Sequence, residues 1–291
     1  MTGLAVMACL TSAWAADPKA AAKAPVKTAP VAAKTATQPK AAPKAATPAK
    51  AASRQAPAPL ADWAGFFVSG DYRAHSGMAS EVFDNGRRDV GAAFVAAGIK
   101  PANVVHFSPM DRLHASSPEK PEPLSPMSLL NQLTRVTAQA KGGCVFFLTS
   151  HGQPGMIVMG QGYLDPEGLN QLLEKTCETR PTVVLLSACF SGSFIAGLAA
   201  PNRMIMTAAR EDRTSFGCGE EDVHTFFDGC VLESLPRATT FDVLAELTKS
   251  CVTRRETEMA LTPSSEPQVS VGEQIMTLLP ALQLSSNPPA P

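Results

Sequence analysis

Short apolar runs recur along this chain: AGFFVS at 64–69, NVVHF at 103–107, GCVFFLT at 143–149, TVVLLSA at 182–188 and RMIMTA at 203–208. Each has the length of a strand and lacks the polar alternation of a sheet with one wet face, so each reads as a strand covered on both sides. Between the runs, apolar residues return at helical intervals. Ser80 to Ala97 carries Val82, Phe83, Val90, Phe94 and Val95, with Gly98 to close it, and Ser128 to Ala140 carries Leu129, Leu130, Leu133 and Val136. Further helices are expected at 166–177, 225–234 and 240–252, and a short strand-like piece at 155–159. Covered strands separated by amphipathic helices specify an α/β fold, a mostly parallel β-sheet flanked by helices on both faces in three layers. Apolar character returns at 268–272 and 275–279, which extends the domain over 60–282 and leaves 283–291 as a flexible tail.

Composition sets this domain apart from the residues before it. From 16 to 59 the chain is almost entirely Ala, Pro, Lys and Thr, without one aromatic residue. Such a segment buries too little apolar surface to offset its chain entropy, and its prolines interrupt every helical run, so a disordered linker is expected. Residues 17–59 carry a net charge of +7 and residues 60–291 a net of −8. The linker lysines therefore suit electrostatic association with an anionic cell-envelope surface. The apolar stretch 3–10, followed by small residues at Ala13 and Ala15, reads as a signal peptide over 1–15. Export to the periplasm or medium is the expectation, with a lipid anchor on Cys9 as the minority reading. With 25 basic and 26 acidic residues in all, nothing suggests a nucleic-acid partner. Oligomeric state is left open.

In open parallel sheets, functional groups gather beyond the carboxyl ends of the strands. Two such ends carry reactive side chains beside glycine: strand 143–149 runs into Ser150-His151-Gly152, and strand 182–188 into Cys189-Phe190-Ser191-Gly192-Ser193. An imidazole can take the thiol proton, the sulfur can attack a carbonyl, and the imidazolium can protonate the leaving amine. The backbone N–H groups of Gly152 and Cys189 are candidates for an oxyanion hole. Taken singly, a cysteine after a buried strand is more often a small core residue. The joint occurrence of His151 and Cys189 at equivalent strand ends is what favours catalysis.

These residues carry a resemblance. Phe146-Phe147-Leu148-Thr149-Ser150-His151-Gly152, with Ser187-Ala188-Cys189-Phe190-Ser191-Gly192-Ser193 beginning 37 residues after Ser150, resembles the legumain-type cysteine peptidases of the caspase-haemoglobinase clan. The similarity extends through Gly160-Gln161-Gly162 and Thr207 to Gly217, and covers about 60–282. It implies a caspase-like sheet, a His151–Cys189 dyad acting through a thioester acyl-enzyme, and a peptide or protein substrate. It also implies cleavage after Asn or Asp, with Arg73, Ser187, Ser215 and Asp228 in the substrate pocket. Ser187 departs from the family, which has Glu two residues before the nucleophile. Two alternatives stay open: a transpeptidase or ligase using the same dyad, and a non-catalytic caspase-like binding domain.

No cofactor is expected. Neither a Cys-x-x-Cys nor a His-x-x-x-His pair occurs, His75, His106, His114 and His224 are scattered, and no glycine-rich phosphate loop is present. Removal of residues 1–15 leaves six cysteines, and with Cys189 kept as a thiol an odd number remains. Cys144, inside an apolar strand, reads as core. One bridge among Cys177, Cys218, Cys230 and Cys251 fits an oxidising compartment, its connectivity undetermined.

Overall fold

The computed structural model describes residues 60–110 and 121–284; the signal-peptide and linker readings lie outside them. The strands are β1 (Trp63–Ser69), β2 (Val104–Ser108), β3 (Glu122–Pro123), β4 (Gly143–Thr149), β5 (Gly152–Gln153), β6 (Met156–Met159), β7 (Gly162–Leu164), β8 (Thr182–Ser187), β9 (Arg203–Thr207) and β10 (Gln268–Val271). The helices are α1 (Val82–Ala96), α2 (Pro126–Gln139), α3 (Pro166–Thr176), α4 (Ile195–Leu198), α5 (Phe226–Ser234), α6 (Phe241–Glu258) and α7 (Glu273–Met276). Seven strands form one sheet in the order β3-β2-β1-β4-β8-β9-β10, parallel except for β10 against β9. A second, antiparallel sheet is built from β5, β6 and β7.

The central strands are apolar throughout because each has two covered faces. In β1, Trp63 and Phe67 enter one core while Ala64, Phe66 and Val68 enter the other, the alternation a pleated strand imposes. The first core continues through Val90 and Phe94 of α1, Val231 of α5 and Leu244 of α6; the second through Leu133 of α2 and Leu173 of α3. Each fully buried Phe or Leu contributes about 1.5–3 kcal/mol. Helix starts follow local chemistry. Ser125 and Asp165 accept the N–H of Ser128 and Gly168, with proline opening the first turn of both α2 and α3, and Thr225 accepts the N–H of Asp228.

The expected three-layer α/β architecture is the one observed. Two details differ. Helix α6 continues to Glu258, beyond the expected end at 252, because its last turns are polar; Arg254 and Arg255 there pair with Glu233 of α5. Core contacts also run past 282 to Leu284, whose N–H donates to the Thr239 carbonyl.

Cys144 is not a simple core residue. It forms a disulfide with Cys177, tying β4 to the end of α3, and a second disulfide joins Cys230 of α5 to Cys251 of α6. An apolar strand position looks the same in sequence whether its thiol is free or bonded; the partner comes from a helix that packs on that face of the sheet. Among the described residues Cys189 is the free cysteine.

Candidate active site

Parallel strands β4 and β8 are neighbours in a register that pairs Thr149 with Ser187. His151 and Cys189 each stand two residues beyond that pair, so both emerge at one level of one sheet edge. The backbone turns sharply there. Phe190 adopts a left-handed φ of 56° directly after the cysteine. Gly152 lies so close to the segment that follows β8 that a Cβ on it would sit 2.2 Å from the Cys189 carbonyl oxygen, and one on Gly192 would sit 2.6 Å from the Glu211 nitrogen. Both glycines of the motifs are thus required by close backbone approach.

The imidazole is fixed on two sides. Its Nε2 lies 2.9 Å from the Arg73 carbonyl oxygen, and its ring meets Phe83 edge-on with centroids 4.9 Å apart. A carbonyl oxygen only accepts, so Nε2 carries the proton and Nδ1 keeps the lone pair. The sulfur is held by Ser215, whose N–H donates to Sγ at 3.3 Å and whose Oγ lies 3.5 Å away. Val82 and Phe83 pack with Cys189 in one small apolar cluster. This burial pushes the thiol pKa up, against the Ser215 hydrogen bonds, and the imidazole pKa down, against the favourable charge of Asp71. Both groups rest in their neutral forms.

Residues 130–239, which include both His151 and Cys189, match the Peptidase C13 family. The structure is similar to that of caspase-1 from Spodoptera frugiperda, with a TM-score of 0.53 and 13% identity over 77% of this chain and 93% of that one. The likeness to the family thus spans the segment that carries both strand ends, and the likeness to the caspase is one of fold. A search of curated proteins finds no match to the sequence.

The remaining pocket candidates divide into two groups. Ser215 and Arg73 lie at the rim. Arg73 reaches His151 through its backbone carbonyl; its guanidinium is gripped by Asp71, with Nε to Oδ1 at 2.9 Å and Nη2 to Oδ2 at 3.1 Å, and lies over the Tyr72 ring. That grip raises the Arg73 pKa, the hydrogen bond to Asp71 being the largest cause. Ser187 and Asp228 lie beneath the rim, both buried. Ser187 Oγ is 3.0 Å from Thr225 Oγ1, and Thr149 Oγ1 donates to Asp228 Oδ2 at 2.7 Å. Oδ1 of Asp228 has no hydrogen-bond partner among the described residues. Complete burial raises the Asp228 pKa to about 6, opposed by the neighbouring hydroxyls of Ser187, Thr149 and Thr225.

Sequence reasoning missed Asp71 and Phe83. Asp71 carried a signal, an acid two residues before Arg73 at the end of a strand. Phe83 carried none, since its spacing is that of any core position in α1. Among the described residues no cluster of three or more His, Cys, Asp or Glu is arranged to hold a metal ion.

Proposed function

We propose that this chain is a legumain-like cysteine peptidase that cleaves peptide bonds after Asn or Asp, with Cys189 as nucleophile and His151 as general base and acid. The observation that carries the reading is the β4–β8 register, which raises a thiol and an imidazole of defined tautomer at the same level of one rim. The Cys189 proton passes to Nδ1 of His151 as sulfur attacks the scissile carbonyl, and the N–H groups of Gly152 and Cys189 receive the developing oxyanion. Collapse breaks the C–N bond, and Nδ1 returns the proton to the leaving amine. Water, deprotonated by Nδ1, then attacks the thioester; the acid leaves and the thiol regains its proton.

Because both groups rest neutral, proton transfer belongs to the substrate-bound state rather than to a preformed ion pair. For the residue before the scissile bond, Arg73 is the rim group, and Ser187 with Asp228 forms the floor. The unpartnered Oδ1 of Asp228 suits an N–H donor such as a carboxamide. Export is the accompanying reading, supported by the two disulfides, which persist in oxidising compartments.

The test is cleavage of a peptide library by the intact protein and by Cys189→Ala, with fragments identified by mass. Cuts after Asn or Asp by the first and none by the second are expected. Equal cutting by both, or failure of an Asn-directed thiol-reactive peptide to label Cys189 in folded protein, would overturn the reading.

A further inference from the structure

A cavity of about 600 Å³ opens beside the β5–β7 sheet. Met159 and Tyr163 form one wall, Leu129 and Leu130 of α2 the second, and Leu172 of α3 the third, with Lys175 also at the cavity lining. Tyr163 is 62% exposed, an unusual position for a large aromatic residue on a three-residue strand.

Strand register relates the cavity to the proposed catalytic rim. Strand β5 starts directly after His151, the Val158 N–H donates to the His151 carbonyl, and Val158 pairs with Tyr163. His151, Val158 and Tyr163 therefore lie abreast across neighbouring strands, so Tyr163 stands roughly 10 Å from His151 at ordinary strand spacing.

Chemistry fixes which part of a substrate reaches the cavity. The imidazole must protonate the departing amine, so the part of the substrate that follows the scissile bond leaves on the His151 side. An extended peptide advances about 3.3–3.6 Å per residue, which sets the cavity about three residues beyond the bond. We propose that this groove is a subsite for an apolar side chain at the third or fourth residue on the leaving-group side of the substrate. The proposal rests on the reading of His151 and Cys189 as the dyad. The occupant is a polypeptide because Tyr163, on the cavity wall, lies abreast of His151 two strands away, within the reach of an extended substrate bound at the proposed dyad, and the walls are mainly apolar.

The experiment compares two Asn-containing peptides that carry Leu or Ser at the third and fourth positions after the bond. The intact protein is expected to favour the Leu peptide about tenfold in kcat/KM, the scale on which an apolar pocket discriminates. In Tyr163→Ser and Leu130→Gln that ratio should fall to within about twofold of unity; a ratio within one variant cancels any general loss of activity. Fluorescence anisotropy of the same peptides on Cys189→Ala protein provides a second readout that needs no turnover. Tighter binding of the Leu peptide, abolished by Tyr163→Ser, supports the subsite. Absence of a preference in both assays, or a preference that survives both substitutions, overturns it. A shift from dimer to monomer in the variants with unchanged ratios overturns it as well, and makes the groove a contact between copies. If neither peptide is cut, the dyad reading fails, while anisotropy still decides the groove.

Discussion

At the residue scale, the site is governed by what surrounds the two reactive atoms. Phe83 touches the His151 ring and packs in the same apolar cluster as Cys189, so it keeps water from both. Replacing it by Ala should let the imidazole pKa return upward toward 6.5 and the thiol pKa downward. The acid limb of kcat/KM against pH should then move to higher pH, and the alkylation of Cys189 should gain at neutral pH; Phe83→Tyr should keep both profiles. His151→Ala should lower kcat by about 10²–10⁴, the usual contribution of a general acid–base group. Asp228 gives a different pH signature. If it forms the pocket floor as proposed, its carboxyl below about 6 is protonated and donates to a substrate carboxylate; above that it is ionised, accepts from a carboxamide and repels a carboxylate. The preference for Asn over Asp substrates should therefore rise with pH through about 6, and Asp228→Asn should flatten the curve.

At the element scale, the turn after Cys189 is held by neighbours distant in sequence. Phe190 donates its N–H to the Arg213 carbonyl at 2.7 Å, and Ser193 Oγ accepts the Gly155 N–H at 3.0 Å, which ties the turn between β5 and β6 to the segment after Cys189. Helix α5 contributes through its cap. Thr225 Oγ1 accepts the Asp228 N–H and also lies beside Ser187, so Thr225→Ala should destabilise the fold by about 1–2 kcal/mol in urea unfolding. It should also disturb the proposed Asn-to-Asp preference, because the proposed pocket floor shares that hydroxyl. The disulfide between α5 and α6 spans 21 residues. A Cys230→Ala and Cys251→Ala double variant should lose about 3 kcal/mol, the loop-closure entropy that a bridge of this span removes from the unfolded state.

At the scale of the whole molecule, the two cores on either face of the sheet are assembled from residues between Leu60 and Leu284. Protein lacking 17–59 should therefore cleave soluble peptides at the rate of the full-length form. Loss of that basic segment should reduce binding to vesicles containing anionic lipid, and full-length binding should weaken steeply between about 50 and 500 mM salt, an ionic-strength range over which screening becomes strong. Product analysis with an added amine would show whether the proposed acyl-enzyme is also captured by amines, since a thioester reacts with either nucleophile.

Strand positions, most helices and the two strand ends that carry His151 and Cys189 were legible in the sequence, because apolar periodicity and the residues that end strands are local properties that burial acts on directly. That β10 runs antiparallel, that Cys144 bonds Cys177, that Asp71 occupies Arg73, and that Phe83 covers both His151 and Cys189 were not. Each depends on which elements become neighbours after packing, and a helical Phe or a strand Cys has the same spacing whatever it comes to face. Local sequence determined the parts and their chemistry; the sheet order and register decided which of them meet.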